Sequence, residues 1–95
     1  MSLYFSQKAL LDLKEIYIYS MAQWSVPQAE KYYFEVIETC RKIEVFPTIG
    51  KLYSNVFSQP RGFKVQKHII YYKIEKGKIK VIRILHESQD LKRVF

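Results

Sequence analysis

Apolar residues in the first half of the chain recur every three or four positions, which is the period of an α-helix with one buried stripe. Two such stretches predict two helices separated near residue 25. The first has its apolar stripe at Ala9, Leu10, Leu13, Ile16, Tyr17, Met21 and Trp24, and the second at Ala29, Tyr32, Tyr33, Val36, Ile37, Cys40 and Ile43.

Polar residues at the ends of these stretches define where the helices start and stop. Ser6 precedes the first stripe as a cap, and Ser25 is placed to accept from the amide of Gln28. Pro27 is compatible with a first helical turn, whereas Pro47 ends the second helix. Two helices joined by so short a connection are expected to pack as antiparallel neighbours.

Beyond Gly50 the period changes to two, which is the period of a β-strand. Alternating or β-branched runs at 63–66, 69–75 and 79–85 predict three strands, and Lys76-Gly77-Lys78 predicts a hairpin loop between the last two. Leu3–Phe5 is a candidate first strand, and Ser88 a candidate cap for a final helical turn that includes Asp90. We expect one α+β domain over residues 1–95, with an N-terminal helical hairpin packed on a small antiparallel β-sheet.

The last predicted strand is apolar on both faces, although a helical hairpin can cover only one face of a sheet. Strict alternation places Ile79, Val81 and Leu85 on one face and Ile82 and Ile84 on the other. Either the C-terminal segment around Val94 and Phe95 closes the second face, or that face awaits a partner.

Composition favours an intracellular globular protein. Hydrophobic residues make up 48% of the chain, enough to fill one core, and Cys40 is the only cysteine. A single cysteine cannot form an internal disulfide, and no signal peptide or long apolar run is visible. We therefore expect a cytoplasmic protein with no membrane partner.

Positive charge is concentrated in the second half of the chain. Residues 1–50 contain five Lys or Arg against six acids, a net of −1, whereas residues 51–95 contain eleven against three, a net of +8. This asymmetry predicts an acidic partner for the second half, either nucleic acid or an acidic protein segment; the alternative is that the charge serves solubility alone.

Residues suited to cofactor or metal chemistry are few. Cys40, His68 and His86 are scattered and lack metal-ligand spacing, and there is no glycine-rich phosphate loop. Cys40 lies on the predicted buried stripe of the second helix, which indicates inert packing. We predict neither a metal nor a cofactor.

Several segments resemble the RelE/ParE superfamily of bacterial toxins, and ParE-like members in particular. They lie in both predicted helices, in the turn at Pro47 and along the sheet. The most specific is the ending Ile82-Arg83-Ile84-Leu85-His86-Glu87-Ser88-Gln89-Asp90, because an arginine, a histidine and an aspartate recur near the end of ParE-like toxins. The other segments are Ala9–Ile16 with Tyr19, Gln28–Tyr32, Phe46–Lys51 and His68–Tyr72.

The resemblance implies a type II toxin neutralised by a cognate antitoxin, in a toxin–antitoxin hetero-oligomer. ParE-like members inhibit DNA gyrase, whereas RelE-like members cleave mRNA on the ribosome with basic residues and a Tyr, or with a Glu, Arg and His set. Plasmid stabilisation, growth inhibition and stress response are the roles associated with such toxins.

RNA cleavage requires a base, an acid and cations that bind the phosphate. In the nuclease alternative these are Arg83, His86 and Lys64. Residues three apart on a regular strand face opposite sides, so Arg83 and His86 diverge unless the strand ends or bulges between them. Glu87 also stands where similar nucleases have a Tyr. We therefore favour gyrase inhibition and assign no catalytic residue; a partly buried His86 bonded to Asp90 or to backbone is expected.

The sequence also predicts the binding surfaces. A third hypothesis for the function is an RNA-binding module outside any toxin system. Such a module would use Phe63, Tyr71 and Tyr72 to stack on RNA bases. Residues predicted to bind the target are Arg61, Lys64, Lys67, Lys73, Lys78, Lys80 and Arg83, and those predicted to bind an acidic antitoxin segment are Tyr71, Lys80, Ile82 and Ile84.

Overall fold

A helical hairpin and a five-stranded sheet account for most of the chain in a computed structural model, which describes residues 1–94. The order of elements confirms the predicted α+β class. In chain order they are β1 (Ser2–Phe5), α1 (Gln7–Gln23), α2 (Val26–Val45), β2 (Lys51–Leu52), β3 (Arg61–Val65), β4 (His68–Glu75), β5 (Lys78–His86) and α3 (Leu91–Val94).

The two long helices begin at the predicted serine caps. The Ser6 hydroxyl accepts from the Ala9 amide at 3.0 Å, and the Ser25 hydroxyl accepts from the Gln28 amide at 3.3 Å. The predicted Ser88 cap is wrong: α3 begins at Leu91, and the Asp90 carboxylate accepts from the Lys92 amide at 3.0 Å. Ser88 instead bonds to the side chain of His86.

The strand order is β1-β5-β4-β3-β2, with β1 parallel to β5 and the other neighbours antiparallel. The sheet is therefore mixed, and the expectation of a purely antiparallel sheet is wrong for this one pair. Only short turns force antiparallel pairing, and the chain between β1 and β5 contains the whole helical hairpin. The sequence analysis also missed β2, since two residues are too few to display a period.

The main core lies between the helical hairpin and one face of the sheet. Ile70 and Tyr72 of β4 and Ile79 and Val81 of β5 are fully buried there. The helices contribute small and medium side chains to the same core, namely Ala9, Leu13, Val36, Cys40 and Ile43. The predicted stripes are thus broader than the buried ones, because Leu10 and Trp24 are 53% and 62% exposed. Within residues 1–94, no helix has the length and apolarity needed to cross a bilayer.

A β-bulge in β5 changes which side chains share a face. Tyr72 pairs with Val81 but Tyr71 pairs with Arg83, so Ile82 is an extra residue in the ladder. After the bulge the alternation is reversed, and Ile84 joins the helix-side core while Leu85 turns to the other face. The predicted grouping of Leu85 with Ile79 is therefore wrong.

The second face of the sheet is partly covered by the segment between β2 and β3. The Tyr53 ring packs edge-on against Tyr71 at 5.6 Å, and Val56 and Pro60 are buried in the same segment. A Cβ at Gly62 would lie 2.8 Å from Tyr53, so this close packing requires glycine.

The coverage of this face follows neither predicted alternative in full. Val94 lines a depression beside Lys80 and Ile82, while Phe95 lies outside the described residues.

The predicted hairpin loop is confirmed: Lys76 and Gly77 both have positive φ, as a two-residue turn requires.

The buried hydroxyl of Tyr72 fixes the turn that follows α2. It donates to the Pro47 carbonyl at 2.7 Å and accepts from the Gly50 amide at 2.9 Å. One side chain on β4 therefore satisfies two backbone groups of the connection that leads into β2.

Replacing Tyr72 with Phe leaves those two backbone groups without their partner, and should lower the free energy of unfolding by about 1–3 kcal/mol. Urea denaturation measures this loss. The control is Tyr4→Phe, which removes a hydroxyl from an exposed side chain and should change stability by less than about 0.5 kcal/mol. Equal losses in the two variants would contradict a role for the hydroxyl in the turn.

Candidate functional site

Arg83 is held by the first helix. Its Nε and Nη2 donate to the two carboxylate oxygens of Asp12 at 2.9 and 3.0 Å, and Asp12 Oδ2 also accepts from the Ile84 amide at 2.9 Å. The Asp12 hydrogen bonds raise the pKa of Arg83 above its ordinary value. The Arg83–Asp12 ion pair lies at the outer edge of β5. Beyond Val81 this edge no longer pairs with β1.

Two histidines meet at the far end of β4 and β5. His68 and His86 are directly opposite in the register, and their rings contact edge-on with centroids 5.5 Å apart. They line two adjoining depressions of about 330 and 420 Å³ that also share Tyr19. We call this region the histidine groove, comprising Tyr19, Tyr32, His68 and His86.

The hydrogen bonds of the two histidines leave them in different states. The Tyr32 hydroxyl donates to the Val65 carbonyl at 3.1 Å, and its oxygen lies 2.6 Å from His68 Nδ1. Both contacts are hydrogen bonds when His68 carries its proton on Nδ1 and donates it to the Tyr32 oxygen. His86 Nδ1 accepts from the Ser88 amide at 3.1 Å, which places the proton of the neutral ring on Nε2. Burial and then the neighbouring Glu35 raise the pKa of Tyr32 to about 12.

The nuclease set from the sequence is only partly assembled. Arg83 and His86 line the same depression although the bulge lies before Arg83 rather than between them. Lys64, however, pairs with Glu87 at 2.9 Å on the opposite face of the sheet. His86 is exposed, so the expected partial burial is wrong. Of its two expected partners, Asp90 or backbone, the backbone is confirmed, because the Ser88 amide donates to His86 Nδ1.

The seven cations predicted to bind the target fall into two groups. Arg61 donates to the Gly50 carbonyl at 3.0 Å and, like Arg83, serves an internal bond. Four lysines lie on the face of the sheet that points away from the helices, and Lys67 lies in the turn between β3 and β4. We call these four, Lys64, Lys73, Lys78 and Lys80, the basic face.

Comparison with known proteins relates this fold to a family. A model of the ParE toxin of type II toxin–antitoxin systems matches residues 3–91. The chain belongs to the ParE toxin family. It is 31% identical over 85 residues to Toxin ParE1 of Caulobacter vibrioides, covering 90% of this chain and 88% of that protein. It is 29% identical over 89 residues to Toxin ParE1 of Mycobacterium tuberculosis, covering 93% and 91%.

A solved structure supports the same fold. A chain described as the chromosomal ParDE toxin–antitoxin system from P. aeruginosa superposes with a TM-score of 0.79 at 21% identity, covering 90% of this toxin and 95% of that chain. The predicted membership of the RelE/ParE superfamily, on the ParE-like side, is therefore confirmed. The protein is the toxin of a type II toxin–antitoxin system, with a cognate antitoxin as its partner.

Two of the residues predicted to contact the antitoxin are inaccessible in the toxin. Ile84 is 2% exposed in the main core and Tyr71 is 3% exposed beneath Tyr53, so the expectation that they are exposed is wrong. The bulge moved Ile84 inward, and the segment before β3 covered Tyr71. Lys80 and Ile82 remain partly exposed beside the depression lined by Val94.

The aromatic residues suggested as an RNA-stacking surface are also unavailable. Tyr71 and Tyr72 are buried, and Phe63 packs against the core. Cys40 is buried as predicted, and burial, with a smaller effect of Glu44, raises the pKa of its thiol to about 12. Among residues 1–94, no three His, Cys, Asp or Glu side chains are grouped to hold a metal ion.

The sequence analysis missed the pairing of His68 with His86. Counting outward from the Lys76-Gly77 turn places Lys67 opposite His86, and the bulge at Ile82 shifts the register by one residue. Tyr32 was assigned to the core stripe of α2, and its hydroxyl gave no sequence signal of its contact with His68.

We expect the pKa of the His68 side chain to be lower than its ordinary value. Burial, followed by the neighbouring His86, lowers the pKa of His68 below 6.5 in the folded toxin. Its contribution to stability is then present above the unfolded pKa and is lost as the pH falls through the folded one. NMR titration of the ring Cε1–H signals, assigned with His68→Gln, measures this value. A His68 midpoint at or above 6.5 would contradict the structure of the groove.

Proposed function

We propose that this toxin acts in the cytoplasm by binding and inhibiting DNA gyrase through its basic face, and that the antitoxin neutralises it by covering the same surface. The observation that carries the proposal is the division of the cations. Arg61 and Arg83 are committed to internal bonds, while Lys73 and Lys80 lie opposite each other on the face that points away from the helices.

Charge on this face suits a partner that carries negative charge. Lys80 has no ion pair among residues 1–94, and the single pair of Lys73, with Glu75 at 3.4 Å, is partly solvated. Such pairs contribute little to stability, so both lysines can be redirected to a partner at small cost. Gyrase holds DNA, whose phosphates attract a basic surface over long range and speed its encounter.

The antitoxin contact fits the depression beside the basic face. Lys8, Lys73 and Lys80 surround it, Ile82 and Val94 supply apolar surface, and its volume is about 430 Å³. An acidic segment with an occasional apolar side chain complements this lining, and a disordered segment can order as it binds. Antitoxin binding there would exclude gyrase from the same lysines.

Ribosome-dependent RNA cleavage is the second candidate, and the histidine pair is the observation that favours it. The bond at Nδ1 leaves Nε2 of His68 as an acceptor, which suits a base, while an acid role for the neighbouring His86 requires its imidazolium form. The phosphate clamp is the weaker part of this candidate, since the Arg83 guanidinium is bound by both Asp12 oxygens.

A gyrase supercoiling assay with purified toxin tests the leading proposal. The double variant Lys73→Ala/Lys80→Ala should require about tenfold more toxin for half-inhibition, since it removes two charges from the proposed contact. The control Arg41→Ala/Lys42→Ala removes the same charge from α2 and should inhibit like the wild type. Full supercoiling at large excess of wild-type toxin, together with cleavage of ribosome-bound mRNA, would reject gyrase and support the second candidate.

A further inference from the structure

The depression beside the basic face has a lining of one charge sign. Its volume is about 430 Å³, and Lys8 of α1, Lys73 of β4 and Lys80 of β5 line it, whereas no Asp or Glu of residues 1–94 does. Lys8 and Lys80 also have no ion pair in the part of the chain that the structure describes. A concave surface lined by cations concentrates anions, so this depression suits an anionic ligand.

The two central lysines of the basic face repel each other in the free toxin. Lys73 and Lys80 are directly opposite in the register of β4 and β5. Like charges in such positions destabilise an antiparallel strand pair. The Glu75 carboxylate lies 3.4 Å from Lys73 Nζ but is half exposed, so it offsets the repulsion weakly. The pairing does not help the sheet, but it provides two adjacent positive charges for an anion.

The loop between β2 and β3 places a phenylalanine at the rim of this depression. Ser58 lines the depression, and Phe57 beside it is 86% exposed, the highest value for a large apolar side chain within residues 1–94. Backbone hydrogen bonds hold the loop: the Val56 amide donates to the Tyr53 carbonyl at 3.2 Å, and the Gln59 amide donates to the Val56 carbonyl at 2.9 Å. Phe57 is therefore an apolar contact that is already positioned before a partner binds.

Backbone strain next to Phe57 supports a binding role for this loop. Ser58 and Gln59 have φ values of 65° and 46°, in the left-handed region that residues other than glycine adopt at a cost in free energy. Strained conformations of this kind cluster at binding and catalytic sites, where the surrounding structure holds them.

Duplex DNA offers both features that this surface can bind. Its backbone phosphates attract lysines, and an apolar side chain can enter between two base pairs, unstack them in part and kink the duplex. A free phosphate would use the lysines but leave Phe57 without a contact. A protein partner would need an apolar pocket at the correct distance from acidic side chains, whereas phosphates and stacked bases adjoin at every step of DNA. The combination therefore favours DNA.

We propose that the toxin binds double-stranded DNA directly, with Lys8, Lys73 and Lys80 on backbone phosphates and Phe57 inserted at a base-pair step. This activity goes beyond gyrase inhibition, because it requires no contact with the enzyme, and the two share only the use of the basic face. Flexible pyrimidine–purine steps should be preferred, since they unstack most easily.

Fluorescence anisotropy with a labelled duplex of about 20 base pairs measures this binding without gyrase, using full-length toxin purified free of antitoxin. The affinity should fall steeply as salt is raised. Lys73→Ala/Lys80→Ala should bind more weakly and lower the slope of log K against log salt concentration by about two, one for each lost phosphate contact. The control Arg41→Ala/Lys42→Ala removes the same charge from α2 and should keep the wild-type slope.

Substitutions of Phe57 test the inserted side chain separately from the charges. Phe57→Ala should weaken binding at least about tenfold and abolish the bend, measured by energy transfer between dyes at the two duplex ends, while leaving the salt slope unchanged. Phe57→Leu keeps an apolar wedge and should retain most of the bend. The matched control is Phe34→Ala, which removes an exposed phenylalanine from α2 and should bind and bend DNA like the wild type. Circular dichroism confirms that the variants fold.

Three outcomes would overturn the proposal. The first is a wild-type toxin that does not bind the duplex at low salt; if that toxin still inhibits gyrase, the proposed function stands and only direct DNA binding fails. The second is a Phe57→Ala variant that bends DNA like the wild type. The third is a Phe57→Ala variant with unchanged DNA affinity but weaker gyrase inhibition, because Phe57 would then occupy a pocket of the enzyme.

Discussion

The ion pair between Arg83 and Asp12 joins the two ends of the fold. It connects residues 71 positions apart, and the same carboxylate accepts the Ile84 amide at the edge of β5. Both side chains are largely buried, so removing one of them would leave the other as an unpaired and poorly hydrated charge. The position of the last strand against the first helix depends on this contact, and with it the position of the histidine groove.

The basic residues of the sheet divide into arginines that hold the fold together and lysines on its outer face. A chain with a net charge of +7 offers many cations to a partner, but the structure reserves its two sheet arginines for internal bonds. Lysines remain on the outer face, where their flexible side chains suit long-range attraction more than a fixed bidentate clamp. Two of the seven cations predicted to bind the target are thus committed to internal bonds, which counting basic residues in the sequence could not show.

Local patterns predicted the features that depend on neighbouring residues. The caps at Ser6 and Ser25, the helical hairpin and the Lys76-Gly77 turn are all visible in short stretches of sequence. The extra residue at Ile82 is not, since it stands within a stretch rich in β-branched residues and no local signal marks the bulge. That single residue determines why Ile84 is buried and why His86 faces His68.

Contacts between distant segments were the other limit of sequence reasoning. Asp12 lies outside the apolar stripe predicted for α1, yet it is buried against the last strand. Tyr53 gave no strand or helix signal, yet it covers Tyr71 and removes that residue from the predicted antitoxin surface. In both cases a partner far away in the chain determines the role of the residue, and the sequence around that residue carries no sign of it.

A double-mutant cycle on the free energy of unfolding tests the central contact most directly. It compares the wild type with Asp12→Ala, Arg83→Ala and the double variant under urea denaturation. A structural pair requires a coupling energy of about 1–3 kcal/mol, with the second substitution costing much less once the first has been made. Additive losses would contradict this account and release Arg83 for a direct role at the target.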